Sequence, residues 1–116
     1  MLNIIGDIAK AIEGKALTAM DNIDREVSYG YACDLLSHVM ANCHEDSLWV
    51  TVQTHLNVVA VAALLDILCI VVPEGIPVEE NTLARAEEEG IVIISTELNT
   101  FEICGRLYDM GIEPCR

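Results

Sequence analysis

Basic residues are scarce in this sequence. Six Lys and Arg face 19 Asp and Glu, for a formal net charge of −13 over 116 residues. A chain this acidic repels phosphate backbones and anionic lipid heads, which excludes a general nucleic-acid-polymer binder and a membrane-surface protein. Aromatics are also few, at 4%: Trp49, Phe101, Tyr29, Tyr31 and Tyr108. No G-x-x-x-x-G-K-[ST] string is present, so there is no P-loop for nucleotide γ-phosphate chemistry, and no G-x-G-x-x-G follows a strand. The longest apolar run, Leu56 to Val72, is broken by Asn57 and Asp66 and falls short of a membrane span. The N-terminal stretch MLNIIGDIAKAIEG has no basic n-region, and Asp7 interrupts its apolar residues. It does not read as a signal peptide, and a cytoplasmic location is expected.

Cysteine is present but unpatterned. Cys33, Cys43, Cys69, Cys104 and Cys115 are odd in number, and no pair has C-x-x-C spacing. They are expected to be reduced thiols, with Cys33 and Cys69 as small core residues. Cys43 and His44 are adjacent and His38 is close, but this local spacing does not supply four metal ligands. No metal and no cofactor is expected. Cys33 with His38, or Cys43 with His44, makes a poor nucleophile and base, because catalytic Cys–His pairs are usually distant in sequence.

What the sequence does have is a hydrophobic period that switches back and forth. With 53% apolar and 22% charged residues, it describes a folded globular chain. Leu2, Ile5, Ala9 and Ile12 recur at helical spacing and Gly14 follows, predicting a helix over 2–13. Ala16–Met20 reads as a short edge strand and Val27–Tyr31 as a second extended segment. Residues 32–42 read as a helix with an apolar stripe of Leu35, Leu36, Val39 and Met40. Leu48–Val52 follows as a strand, then a helix over Asn57–Leu65, capped by Thr54 and apolar nearly all round. Ile67–Val72 is a continuous apolar run, as expected of an interior parallel strand. Pro73, Gly75 and Pro77 punctuate the loop before a helix at 79–89, whose acidic side is a solvated face and which Gly90 stops. Ile91–Ile94 is a further buried strand, Ser95 or Thr96 starts a turn, and Thr100–Asp109 is a helix with Phe101, Cys104, Leu107 and Tyr108 on one side.

Strand and helix alternating from residue 48 predict an α/β fold: a mostly parallel sheet with flanking helices in a single compact domain. Ligands of such sheets bind at the carboxyl ends of the strands, where loops meet helix N-termini. Three such ends supply Thr54, His55 and Asn57, then Gly75, then Ser95 and Thr96. These six are the candidate ligand-binding residues, suited to a small anionic or polar ligand. The competing reading makes them helix caps and local turn residues. No catalytic residue is assigned. The apolar helix at 57–65 needs more cover than one sheet face gives, so a homodimer is expected, with Trp49 and Tyr29-Gly30-Tyr31 as aromatic anchors. The alternative is that Leu2, Ile5, Ile8 and Ile12 fold back over that helix and leave a monomer.

The strings GYACDLLSHVMAN, LWVTVQTHLNVVAVAAL and GIPVEENTLARAEEEGIVIISTELNTFEICGRLYDMGI resemble the DRTGG domain family, in particular its small stand-alone members in anaerobic bacteria. The specific parts are Asp34–Met40, Gln53–Ala62 and Phe101–Tyr108, and the likeness spans about residues 14–113. The resemblance implies one DRTGG-like α/β domain over 1–116, with an N-terminal helix at 1–14 and a core at 15–113. It implies a regulatory role, as in CBS-containing inorganic pyrophosphatases and some phosphate acetyltransferases. It also implies kinship with the N-terminal domain of HPr kinase/phosphorylase, whose kinase chemistry resides in a P-loop domain absent from this sequence. Thr54-His55 stands where relatives carry Asp-Arg, and Pro73-Glu74-Gly75 where they carry Thr-Gly-Gly, so of those glycines only Gly75 carries over. The resemblance therefore implies a ligand-sensing domain, or a module that binds a partner enzyme of redox or carbon metabolism without any ligand.

Overall fold

A computed structural model of the chain describes residues 3–116; Leu2, assigned above to the first helix, lies outside the described residues. In chain order the elements are α1 (Ile5–Ala11), β1 (Gly14–Ala16), β2 (Tyr29–Ala32), α2 (Leu36–Asn42), β3 (Ser47–Val50), α3 (Leu56–Leu65), β4 (Cys69–Val72), α4 (Glu80–Glu89), β5 (Val92–Thr96), α5 (Thr100–Asp109) and β6 (Glu113–Pro114). They form one compact α/β domain around a six-stranded sheet of order β1-β5-β4-β3-β2-β6. Every neighbouring pair is parallel except β1, which runs antiparallel to β5.

The centre of the sheet is apolar on both sides. Alternate residues of β3, β4 and β5 point to opposite faces, and all of β3 and β4 is buried. Leu48, Val50, Cys69, Val71, Val92 and Ile94 pack with Ile5, Ile8 and Ile12 from the α1 region and with Ile103 and Leu107 of α5. Trp49, Ile70, Val72 and Ile93 pack on the other face with Val39 of α2, Val58, Val59 and Ala62 of α3, and Ala86 of α4. Helices thus cover both faces. Burial of each large aliphatic side chain stabilises the fold by about 1.5–3 kcal/mol.

This packing refines one expectation and corrects two. Val58, Val59, Val61 and Ala62 of α3 are buried, with α2 and α4 alongside, whereas Leu56, Ala60 and Leu64 face outward, Leu64 at 68% exposure, so only part of α3 is covered within the chain. Ile5, Ile8 and Ile12 lie on the opposite face of the sheet and do not fold over α3. Trp49 is wholly buried, its indole Nε1–H donating to the Cys33 carbonyl at 2.8 Å, and is unavailable as an interface anchor.

Several element ends also differ from the sequence reading. The edge strand is Gly14–Ala16 rather than 16–20, because Ala19 takes a left-handed conformation and leads into a 3₁₀ turn at Met20–Asn22. Gly14 opens β1 rather than stopping α1. A Cβ there would meet Ile94 Cγ2 at 2.5 Å, so the glycine permits the close approach of β1 to β5. The helix expected at 32–42 starts at Leu36, since Ala32 still pairs with Val50 in the sheet. Of its expected stripe, Val39 is buried while Leu35 and Met40 are exposed. Strand β3 ends at Val50, and no side chain caps α3, whose N-cap is His55 rather than Thr54. Ser95 and Thr96 belong to β5 rather than to a turn. In α5 the inward residues are Ile103 and Leu107; Phe101 and Tyr108 are 90% and 72% exposed. Cys33, read as core, is only half-buried, whereas Cys43 is buried. Strand β6 gave no signal beforehand. Gly90 does end α4, at φ 72°.

Beyond Ala16 the β1–β5 pairing continues through a side chain. Thr18 Oγ1 donates to the Ile91 carbonyl at 2.7 Å and accepts from the Ile93 amide at 2.9 Å, and the residue is buried. Thr18→Val keeps the shape and removes both bonds, leaving a buried carbonyl and amide unpaired. A loss of about 2–4 kcal/mol is expected, read as a lower urea midpoint with an unchanged m-value.

Candidate functional site

The four parallel strands β2, β3, β4 and β5 end on one rim of the sheet, and the loops that leave them carry the candidate residues. The first loop is held by Asp34. One of its carboxylate oxygens accepts from Thr51 Oγ1 at 2.8 Å and from the Val52 amide at 2.9 Å. Gln53 adds a bond from Nε2 to the Asp34 carbonyl at 3.0 Å. These bonds bend the chain after β3 so that residues 51–55 run outward to the start of α3.

The six candidates do not share one site. His55, Asn57 and their neighbours Leu56 and Ala60 face Arg85 of α4 across a groove of about 440 Å³. Gly75, Ser95 and Thr96 line a separate cleft of about 400 Å³ with Glu13, Lys15, Pro77 and Glu97. The loop from β4 to α4 lies between them: its Gly75 and Pro77 line the cleft, and Glu79 at its end lies 3.9 Å from His55 Nε2. Thr54 lines neither. Its carbonyl accepts from the buried Thr82 hydroxyl at 2.8 Å, fixing the start of α3 to α4.

The two hollows differ in their free hydrogen-bonding groups. In the cleft the Gly75 amide is already bonded to the Thr96 carbonyl and the Glu74 amide to the Leu98 carbonyl, both at 2.9 Å. Glu74 and Gly75 both have positive φ, and a Cβ on Gly75 would run into the Glu97 carboxylate, so the turn requires glycine at that point. Thr96 Oγ1 donates to the Ile12 carbonyl at 2.7 Å and tethers the end of α1. Lys15 shares the cleft with the carboxylates of Glu13 and Glu97. In the α3 groove, by contrast, the N-cap residue His55 makes no side-chain cap bond; the Val58 amide donates to the His55 carbonyl at 3.0 Å, which leaves the Leu56 and Asn57 amides at the helix start. His55 is 74% exposed, and among the described residues Arg85 is held by an exposed ion pair to Glu89 at 3.6 Å.

Arg85 and Asp34 were missed by sequence reasoning. Arg85 is the one basic residue in the acidic helix ENTLARAEEE, a signal the helical pattern contained but did not connect to His55. The apolar pattern of residues 32–42 puts Asp34 inside a helix, which hides its role as a loop anchor.

The thiols are spread over the fold. Cys69 is fully buried on β4, and burial pushes its thiol far above the usual range. Burial also raises Cys104 on α5. No group of three or more His, Cys, Asp or Glu among the described residues is arranged to hold a metal ion.

Comparison with known families gives a match over residues 7–110 to the DRTGG domain. The fold is similar to the crystal structure of the CBS and DRTGG domains of the regulatory region of Clostridium perfringens pyrophosphatase, complexed with its activator diadenosine tetraphosphate. The TM-score is 0.73 at 11% identity, over 90% of this chain and 46% of that one. The chain therefore spans about half of that structure, and at this identity the likeness is one of fold. No curated protein matches. Among the described residues no helix is long and apolar enough to cross a membrane.

Asp34→Ala removes the acceptor for Thr51 and Val52. With the carboxylate exposed to solvent, a loss of about 1 kcal/mol is expected, together with faster hydrogen exchange at the Val52 amide. Unchanged protection at Val52 would show that the loop is held by other contacts.

Proposed function

The chain belongs to the DRTGG domain family, and from that premise we propose that it is a non-catalytic regulatory domain that senses a small anionic metabolite or nucleotide. The observation that carries this reading is the groove at the start of α3. The Leu56 and Asn57 amides, His55, Asn57 and Arg85 converge there at the carboxyl edge of a parallel sheet, with Glu79 3.9 Å from the His55 ring as the acidic group an anion would displace. A helix N-terminus favours an anion by about 0.3–1 kcal/mol, and its amides point at the ligand. Arg85 adds a planar charged donor pair suited to phosphate oxygens. His55 stands where the family resemblance places an arginine and supplies a donor from the same point of the chain. The cleft with Gly75, Ser95 and Thr96 is the neighbouring subsite, where Lys15 and the hydroxyl of Ser95 face a ligand's uncharged portion or a second anionic group.

Thermal shift and calorimetry against pyrophosphate, ATP and diadenosine tetraphosphate test this. Binding is expected for at least one, weakened roughly tenfold, or about 1.4 kcal/mol, by His55→Ala and more by Arg85→Ala. Saturable binding that neither variant weakens would move the site elsewhere, and no binding across the series would remove the reading.

A second reading rests on α5. Phe101 and Tyr108 stand exposed at i and i+7 on that helix, with half-buried Cys104 between them. Aromatic side chains are enriched at protein interfaces, and this stripe is the surface we assign to a homodimer or a partner enzyme. Light scattering is expected to give about twice the 12.7 kDa chain mass. The double variant Phe101→Ser, Tyr108→Ser should return the value to one chain. A wild-type chain that remains monomeric on concentration leaves the stripe to a different protein.

A further inference from the structure

Two thiols that are far apart in sequence meet at the edge of the sheet. Cys43 caps the C-terminal end of α2, and Cys115 follows β6. Their Sγ atoms lie 3.8 Å apart across a sequence separation of 72 residues. The hydroxyl of Ser47, itself fully buried at the start of β3, lies 3.1 Å from Cys115 Sγ and sets that sulfur beside its neighbour. Cys43 is buried while Cys115 is half-exposed, so the pair has one inner and one outer member.

The segment that carries Cys115 is lightly held. Strand β6 has two residues and pairs only with Tyr29 and Gly30 of β2. Pro114 has no amide hydrogen, so besides the short ladder itself the segment donates to β2 and its flank through the Glu113 amide to the Ser28 carbonyl at 3.2 Å and the Cys115 amide to the Gly30 carbonyl at 3.1 Å. A small shift of this segment would bring the sulfurs to the ~2.05 Å of a disulfide.

We propose that Cys43 and Cys115 are a modification site: they close a reversible disulfide that fastens β6 to the end of α2. The oxidant is a low-molecular-weight disulfide. The outer thiol, Cys115, loses its proton and attacks one sulfur of the oxidant. A mixed disulfide forms at Cys115, and one small thiolate leaves. Cys43, as thiolate, then attacks Cys115 Sγ. The protein disulfide forms, the mixed disulfide breaks, and the second small thiolate leaves. Two protein thiols are oxidised, one small disulfide is reduced to two thiols, and both protons go to the departing thiolates or to water. Burial, and then the adjacent Cys115, push the Cys43 thiol upward, which makes it a poor first attacker. Once Cys115 carries the mixed disulfide it no longer titrates, and one of those two causes is gone. Cys69 sits within the central sheet and Cys104 on α5, so each belongs to other packing.

The test uses the full chain, reduced and then incubated with oxidised glutathione, followed by denaturation in N-ethylmaleimide. Two fewer of the five cysteines should take up maleimide, and the intact mass should show no retained glutathione. A peptide map without reductant should join the Cys43 and Cys115 peptides of one chain. The melting temperature should rise by roughly 5–10 °C and fall back on adding reductant. Cys43→Ser should stop at a glutathione adduct on Cys115, Cys115→Ser should form no link at Cys43, and Cys104→Ser should behave as wild type. Five labelled cysteines in the wild-type chain, a stable glutathione adduct without the internal link, a link to Cys33, or a link only between chains would each overturn the proposal. The maleimide count, the intact mass and the peptide map of the wild-type chain do not depend on a variant folding.

Discussion

The double-sided burial of the central strands is the constraint from which the rest of the structure follows. β3 and β4 expose no residue on either face, and β5 almost none. A sheet of that kind must be covered twice, which is why α2, α3 and α4 lie on one side and α1 and α5 on the other. Parallel strands then oblige each connection to return to the same edge. The rim at the carboxyl ends of β2 to β5 collects the loops, and the polar residues there are placed by the needs of the sheet before any ligand is considered.

That rim shows how an acidic chain can present a place for an anion. Most of its hydrogen-bonding groups are already used within the protein. Asp34 holds Thr51 and Val52, Thr96 holds Ile12, and Thr82 holds Thr54. At the start of α3, by contrast, two amides lack a capping side chain, and the imidazole and guanidinium beside them are engaged only by exposed carboxylates, Glu79 at 3.9 Å and Glu89 at 3.6 Å. Local donor geometry and the helix dipole act over a few ångströms, within the Debye length, whereas the net charge of the whole chain is screened beyond about 8–10 Å at physiological salt.

The helices and strands after residue 48 were legible because each has one simple period. Cys69–Val72 has the continuous apolar run of a strand buried on both faces, and ENTLARAEEE followed by Gly90 has the amphipathic pattern and stop of a helix. The N-terminal half was less legible for reasons specific to its contacts. Thr18 carries the β1–β5 pairing through its hydroxyl, which no periodicity records. Gly14 serves close packing against Ile94 although its position after a helix reads as a stop. Asp34 bonds across to β3 rather than extending a helix. At the other end of the chain β6, two residues long and paired with the edge at Tyr29 and Gly30, is too short to show a period. The six candidate residues were found by the rule that strand ends bind ligands, which locates the rim but not its subdivision. The partition into two hollows depends on the β4–α4 loop and on Arg85, both set by tertiary structure.

The central claim is that this rim, and within it the start of α3, is where the domain meets an anion. Amide chemical-shift mapping of the labelled chain during titration with a phosphate-bearing nucleotide tests it without altering any residue. The account predicts the largest, saturable shifts at the amides of Leu56 and Asn57 and at Arg85, with smaller ones around Gly75 and Ser95. Shifts centred on the opposite end of the strands, around Asp46, Asp66 and Gly90, or no saturable shift at the rim with any phosphate-bearing nucleotide tested, would contradict it.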